Sequence, residues 1–161
     1  MEESILLVVT SIVSAVVGAV LGSRATERAN QKAESRQWWL HRDTTLSAVY
    51  LECLNNAAMV HAEAICVDGV WLPLNRIIAD ASHPYLFSLP NEVRAALSSA
   101  SAAVNRYNTL AEHSNNPGLK PISNETVQAH ADVAGNALKY VGDLMQRYMD
   151  DELETRFRDK Q

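Results

Sequence analysis

A run of twenty residues without a formal charge, Ser4–Ser23, constrains the fold of this chain more than any other feature. As an α-helix this run would be about 30 Å long, which matches the hydrocarbon thickness of a bilayer. The alternatives are a buried core helix and a cleaved signal peptide, but a signal peptide opens with Lys or Arg, whereas Glu2 and Glu3 precede this run. We therefore expect an uncleaved transmembrane helix, with residues 1–23 as the anchor.

The lysines and arginines nearest this run all follow it and none precedes it. Because such residues stay on the cytoplasmic side, we expect the amino terminus outside and the remainder in the cytoplasm, at the cell (inner or plasma) membrane. Arg24, Arg28 and Lys32 recur every four residues, and Arg36 continues the series. Residues 24–37 are thus predicted to form a basic juxtamembrane helix, with its first basic side chains near the lipid headgroups.

Small residues follow one side of the predicted span, where Ser14, Gly18 and Gly22 are four residues apart and the last two form a GxxxG step. Such residues let two helices approach closely in lipid, which favours a homodimer or a higher homo-oligomer. The alternative is that small residues merely suit a thin helix in lipid.

Residues 38–161 show the period of packed helices, and we expect an all-α, up-down bundle of three long helices plus one short helix. The first long helix is predicted to end at Asp68–Gly69, the short helix to lie in Trp71–Asp80, and Ala81–Leu89 to be a loop. A helix from Pro90, a turn at Asn115–Gly118 and a last helix capped by Ser123 or Asn124 complete the prediction. The predicted inward positions are Trp39, Leu46, Val49, Cys53, Ala57, Val60, Ala64 and Val67, then Val93, Leu97, Ala100, Val104, Tyr107 and Leu110, then Val127, Ala131, Ala134, Leu138, Val141, Met145 and Tyr148.

Charge and motif content limit the possible functions. The net charge is −5, and because residues 1–42 together carry +1, residues 43–161 carry −6, which argues against nucleic acid as a partner. Cys53 and Cys66, placed in one predicted helix about 20 Å apart, cannot bridge and indicate a reducing compartment. The chain has no HExxH, CxxC, Gly-rich phosphate loop or ExxH step, and its five histidines do not cluster, so we expect no metal, no cofactor and no enzymatic activity.

The run from Arg36 to Glu52 resembles a group of uncharacterised bacterial and phage single-pass membrane proteins, in which an Ala/Gly-rich span leads into a basic helix reading Trp-Leu-x-Arg-Asp and then Ala-x-Tyr. Thr44 and Thr45 stand here where an Arg pair is common in that group. The resemblance implies a membrane-tethered cytoplasmic helical domain and no particular activity. The matching residues are Trp39, Leu40, Arg42, Asp43, Leu46, Ala48 and Tyr50.

These features favour a membrane-anchored helical interaction or scaffold module that binds a protein partner at the cytoplasmic face. The alternative is a phage- or defence-associated membrane effector whose oligomerised spans perturb the bilayer. The residues leave open whether segments 71–80 and 81–89 form a binding site.

Overall fold

The computed structural model describes residues 2–76 and 84–158, without the side chains of residues 2–18, 20, 21, 156 and 157. Three helices dominate it, α1 (Glu2–His61), α2 (Asn91–Ser114) and α3 (Asn124–Arg158). Two short strands, β1 (Cys66–Val67) and β2 (Val70–Trp71), follow α1, and a 3-10 turn (Leu86–Ser88) precedes α2. The expected all-α class is confirmed, with a small hairpin added to it.

The chain divides into an N-terminal unit, Met1–Asp43, and a C-terminal unit, Thr44–Gln161, and α1 contributes to both. No stretch of helix among the described residues combines the length and the apolar character that crossing a bilayer requires. Most side chains of the run Ser4–Ser23 lie outside the description, including that of Ser14, and the exposure of Gly18 is not described either.

The core of the C-terminal unit lies between residues 44–61 of α1 and the helices α2 and α3. Most predicted inward positions from Leu46 onward are buried, while Leu110 and Tyr148 are half-buried. Two glycines of α3 bring it close to α1, because a Cβ at Gly135 would lie 2.7 Å from Cγ1 of Val60 and a Cβ at Gly142 would lie 3.3 Å from Cδ2 of Leu54. The absence of side chains at these positions therefore permits the helices to pack.

The segment after α1 corrects two predictions. The helix ends at His61, and Asp68–Gly69 forms the turn of the β1–β2 hairpin, with Val67 opposite Val70. Both turn residues have positive φ, 52° at Asp68 and 79° at Gly69, which is the geometry that Asp-Gly favours in a two-residue hairpin. Consequently Ala64 and Val67, expected in the core, are exposed, and Cys66 lies in a strand.

The short helix expected at Trp71–Asp80 is also wrong in its described part, because Trp71 ends β2 and residues 72–76 form no regular secondary structure, while residues 77–80 lie outside the description. Three asparagine side chains make the backbone hydrogen bonds to this segment that a neighbouring strand would make in a sheet. Asn115 pairs with Trp71, Asn108 with Leu74 and Asn56 with Asn75, each accepting from the backbone N–H and donating to the carbonyl of the same residue at 2.7–3.0 Å.

We call Asn56, Asn108 and Asn115 the asparagine clamp. The backbone N–H of Leu72 donates to the carbonyl of Ile65 at 2.7 Å, and the hydroxyl of Tyr107 donates to the carbonyl of Leu72 at 2.7 Å. Pro73 is the one residue from 71 to 75 whose backbone nitrogen donates no hydrogen bond, because proline has no N–H. The clamp and the carbonyl of Ile65 together thus satisfy every backbone N–H donor of residues 71–75.

Helix α3 begins as predicted, since the backbone N–H of Thr126 donates to Oγ of Ser123 at 3.2 Å. The expected loop before α2 contains the 3-10 turn, in which Leu86 is buried and Phe87 is exposed. Residues 81–83 of that loop lie outside the description.

Candidate interaction surface

The predicted membrane-proximal residues lie on the described surface of the N-terminal unit. Arg24, Arg28 and Lys32 are all exposed. Apart from the chain neighbours of Gly22 and the backbone of its own helix, no atom of the described residues lies within 4 Å of a Cβ built on Gly22. Gly22 is therefore open to a second helix, which is compatible with its expected packing role.

Trp39, expected to begin the core, is instead 41% exposed, and Trp38 beside it is similarly exposed. The buried side chain of this turn is Arg42, only 1% exposed, whose guanidinium lies 5.0 Å from the ring centre of Trp39 and 3.1 Å from Oδ1 of Asp43. A guanidinium over an indole face gains cation–π attraction, which stabilises this contact. The Trp-Leu-x-Arg-Asp run is thus a local cluster of aromatic and ionic contacts.

A shallow groove follows the outer face of α2 and α3. It has a volume of about 330 Å³ and is lined by Ala102, Ala103, Arg106, His130 and Val133. Val133 is 61% exposed, so the apolar wall of the groove faces solvent. We call this depression the α2–α3 groove.

Tyr140 stands two helical turns after Val133 on α3 and is 52% exposed. Its hydroxyl donates to Oε1 of Glu92 at 3.4 Å, which joins α3 to the start of α2. The outer face therefore carries apolar side chains between a basic end at Arg106 and an acidic end at Glu92.

A second, more polar depression lies beside the hairpin, with a volume of about 670 Å³. His61, Glu63 and Cys66 line it from one side, and Gln128 and Asp132 line it from α3. Within the described residues no hydrogen bond joins Cys66 to His61, and no group of three or more His, Cys, Asp or Glu residues could hold a metal ion. A thiol acting as a nucleophile needs a base within hydrogen-bonding reach, so the arrangement identifies no reaction.

The two cysteines differ sharply in their surroundings. Burial, with a smaller contribution from Glu52, raises the pKa of the Cys53 thiol to about 12, whereas Cys66 is exposed. Burial, reinforced by Cys66, also raises the pKa of Tyr107 to about 12. Cys53 is therefore a protonated core residue, and Cys66 is the accessible thiol of the described chain.

Sequence reasoning missed the asparagine clamp and the apolar wall of the α2–α3 groove, although each left a signal. Asn108 and Asn115 follow the inward residues Val104 and Ala111 by four positions, which places amides on a core-facing side. Val133 and Tyr140 are large apolar residues, seven apart and out of phase with the inward set of α3. An apolar pair on the outer side of a helix is a signal of binding.

Comparison of the chain with protein-family models, with curated proteins and with solved structures finds no match in any of the three.

Proposed function

We propose that this chain is a membrane-anchored helical interaction module, without enzymatic activity, that binds a protein partner at the cytoplasmic face. The observation that carries the proposal is the α2–α3 groove, an apolar, outward-facing surface on a unit whose core is already closed. Small residues such as Ala102 and Ala103 leave room for a partner's helix to lie between the two helices. Arg106 at one end and Glu92 at the other favour a partner helix with an acidic and a basic end.

Anchoring is supported by the uncharged run Ser4–Ser23, because the backbone is helical throughout it and about 30 Å of helix fits a bilayer. The basic residues that follow the run favour a cytoplasmic C-terminal unit, because Lys and Arg beside a span stay on that side. The protein is expected in the membrane fraction after a high-salt or carbonate wash, and a variant lacking residues 4–23 in the soluble fraction. Recovery of the intact chain in the soluble fraction would contradict the anchor.

Cys66 allows the orientation to be tested directly. A membrane-impermeant maleimide should label Cys66 only after the cells are permeabilised, and a Cys66→Ser variant serves as the control because Cys53 is buried. Labelling of Cys66 in intact cells would show that the C-terminal unit lies outside.

A photo-crosslinking amino acid at Ala102 tests the groove. We expect a discrete adduct with one protein, which Val133→Glu on the facing helix abolishes. Leu119→Asp is the matched control, since Leu119 is also an exposed apolar residue but lies outside the groove. An adduct that survives Val133→Glu, or that Leu119→Asp removes equally, would exclude the groove as the binding surface.

The second candidate is a membrane effector whose associated spans perturb the bilayer, favoured by the small residues Ser14, Gly18 and Gly22. Overexpression separates the two functions. Loss of membrane potential that requires residues 4–23 favours the effector, and an unchanged potential favours the interaction module.

A further inference from the structure

Charges of opposite sign occupy different faces of α1 between residues 24 and 36. Successive basic residues, from Arg24 to Arg36, are four apart, so each step turns about 40° and the set covers an arc of about 120°. Glu27 and Glu34 lie about 130° from the centre of that arc. We call these the basic face and the acidic face of the juxtamembrane helix, and all their side chains are exposed.

Neither face is neutralised by another side chain of the described residues. Arg42 and Asp43 form an ion pair, but among the described residues none of the six side chains of the two faces does so. The charges are therefore available to a partner.

The two faces match each other in level along the helix axis. Glu27 lies between the levels of Arg24 and Arg28, and Glu34 lies between those of Lys32 and Arg36. A second, parallel copy at the same depth would therefore present each glutamate between two basic side chains. Opposite charges on neighbouring helices at such levels attract, whereas two basic faces repel.

We propose that the basic face of one copy binds the acidic face of a second copy, with the two helices parallel and in register. The inference rests on the proposed function, because one anchor per copy holds the helices parallel at one depth. It also names the surface through which copies associate. Since the two faces of a copy differ, each copy binds one neighbour with each face, and the contacts close as a ring of more than two copies.

A lipid surface fits the basic face less well than a second copy does. Arg36 lies about 18 Å beyond Arg24 along the helix, whereas charges in physiological salt interact over only about 8 Å. Only the start of the basic face could reach headgroups. The second copy uses all four basic residues, and the anchors raise its effective concentration, so individually weak exposed ion pairs can act together.

The test uses full-length chains with two different affinity tags, co-expressed and co-purified from solubilised membranes. Replacing Glu27 and Glu34 with Lys should lower co-purification about tenfold. Replacing Arg28, Lys32 and Arg36 with Glu should do the same and leaves Arg24 to hold the orientation. Replacing Glu112 and Glu125, two exposed acids of α2 and α3, with Lys is the charge-matched control and should change nothing.

Co-expression of the two variants with each other is the decisive arm. One variant then carries only basic faces and the other mainly acidic faces, so co-purification should recover to within about twofold of the parent. Single-molecule photobleaching of the parent should count more than two copies. Failure of the mixed pair to recover, an unaltered signal in either variant alone, or loss of the parent complex on nuclease treatment would overturn the proposal.

Membrane fractionation of every variant keeps the two proposals distinguishable. If all variants remain in the membrane fraction but co-purify as well as the parent does, the pairing of the two faces is wrong and the membrane anchor is still supported. If the parent itself is soluble, the proposed function fails first.

Discussion

Replacing Asn108 with Ala tests whether the asparagine clamp stabilises the C-terminal unit. The amide of Asn108 is buried and makes two hydrogen bonds of 2.8 Å to the backbone of Leu74. Truncation leaves a buried N–H and a buried C=O of Leu74 without partners. Each unpaired buried group costs about 1–3 kcal/mol, so the free energy of unfolding should fall by about 2–6 kcal/mol.

Asn115 provides an internal comparison. It makes the same pair of bonds, at 2.9 and 2.7 Å, to the backbone of Trp71, but its side chain is exposed. Water can replace the lost amide there, so Asn115→Ala should cost less than about 1 kcal/mol. Asn105→Ala controls for helix propensity, because Asn105 is an exposed residue of the same helix as Asn108.

Alkylation of Cys53 measures the effect in the detergent-solubilised full chain, on a Cys66→Ser background. Cys53 is fully buried, so its labelling rate reports the opening of the core. A loss of about 3 kcal/mol should raise the labelling rate about 100-fold for Asn108→Ala. Equal rates for Asn108→Ala and Asn105→Ala would refute the reasoning, because the buried amide would then contribute nothing that an exposed one does not.

Three further changes test other parts of the C-terminal unit. Gly135→Ala should lower the free energy of unfolding by about 1–3 kcal/mol, since its Cβ would meet Cγ1 of Val60 at 2.7 Å. Gly142→Ala should be close to neutral, because its Cβ would meet only the flexible end of Leu54. Urea unfolding followed by circular dichroism compares the two variants, and an equal loss in both would contradict the argument from close approach. Gly69→Val should speed hydrogen exchange at the hairpin, because a positive φ costs a residue with a Cβ about 1–2 kcal/mol, and Asp68→Asn should not. Folding raises the pKa of both Cys53 and Tyr107 to about 12, so the free energy of unfolding should be at its full value below pH 9 and fall as the pH rises towards 12. Cys53→Ala should make this fall shallower. A pH profile that Cys53→Ala leaves unchanged would exclude the buried thiol as a cause.

The packed faces of the helices could be predicted from the sequence because burial imposes a period of 3.6 residues on the apolar positions. Val49, Cys53 and Val60 in α1 and Leu138 in α3 follow that period and are buried. The period gives only the direction of a side chain, however. It predicts Trp39 in the core, which is wrong, because the buried side chain there is Arg42, one turn further along, and periodicity alone cannot indicate that a cation is buried.

The end of α1 was misplaced because Ala64 and Val67 continue the helical period by chance, while Asp68–Gly69 serves equally well as a helix end and as a hairpin turn. Apolar residues flank this dipeptide on both sides, and that pattern favours the hairpin. The asparagine clamp is harder to predict, because its partners are backbone atoms. Nothing in the residue types of the segment 71–75 identifies which amide each peptide group meets.

The two faces of the juxtamembrane helix could be located from the sequence, since a helix from Ser23 to Arg42 fixes their angles. That their side chains are exposed is a property of the structure. The α2–α3 groove likewise depends on which outer surfaces the fold leaves uncovered.

The asparagine clamp also bears on how this protein can change over time. Its amides recognise peptide groups, so only the buried side chains of Trp71 and Leu74 need to be retained for the segment to keep its course. Pro73, Asn75 and Arg76 face solvent. The segment can accept new side chains there while the scaffold holds its backbone, which makes it a natural position for sequence divergence among descendants of this protein and for inserting a designed recognition loop.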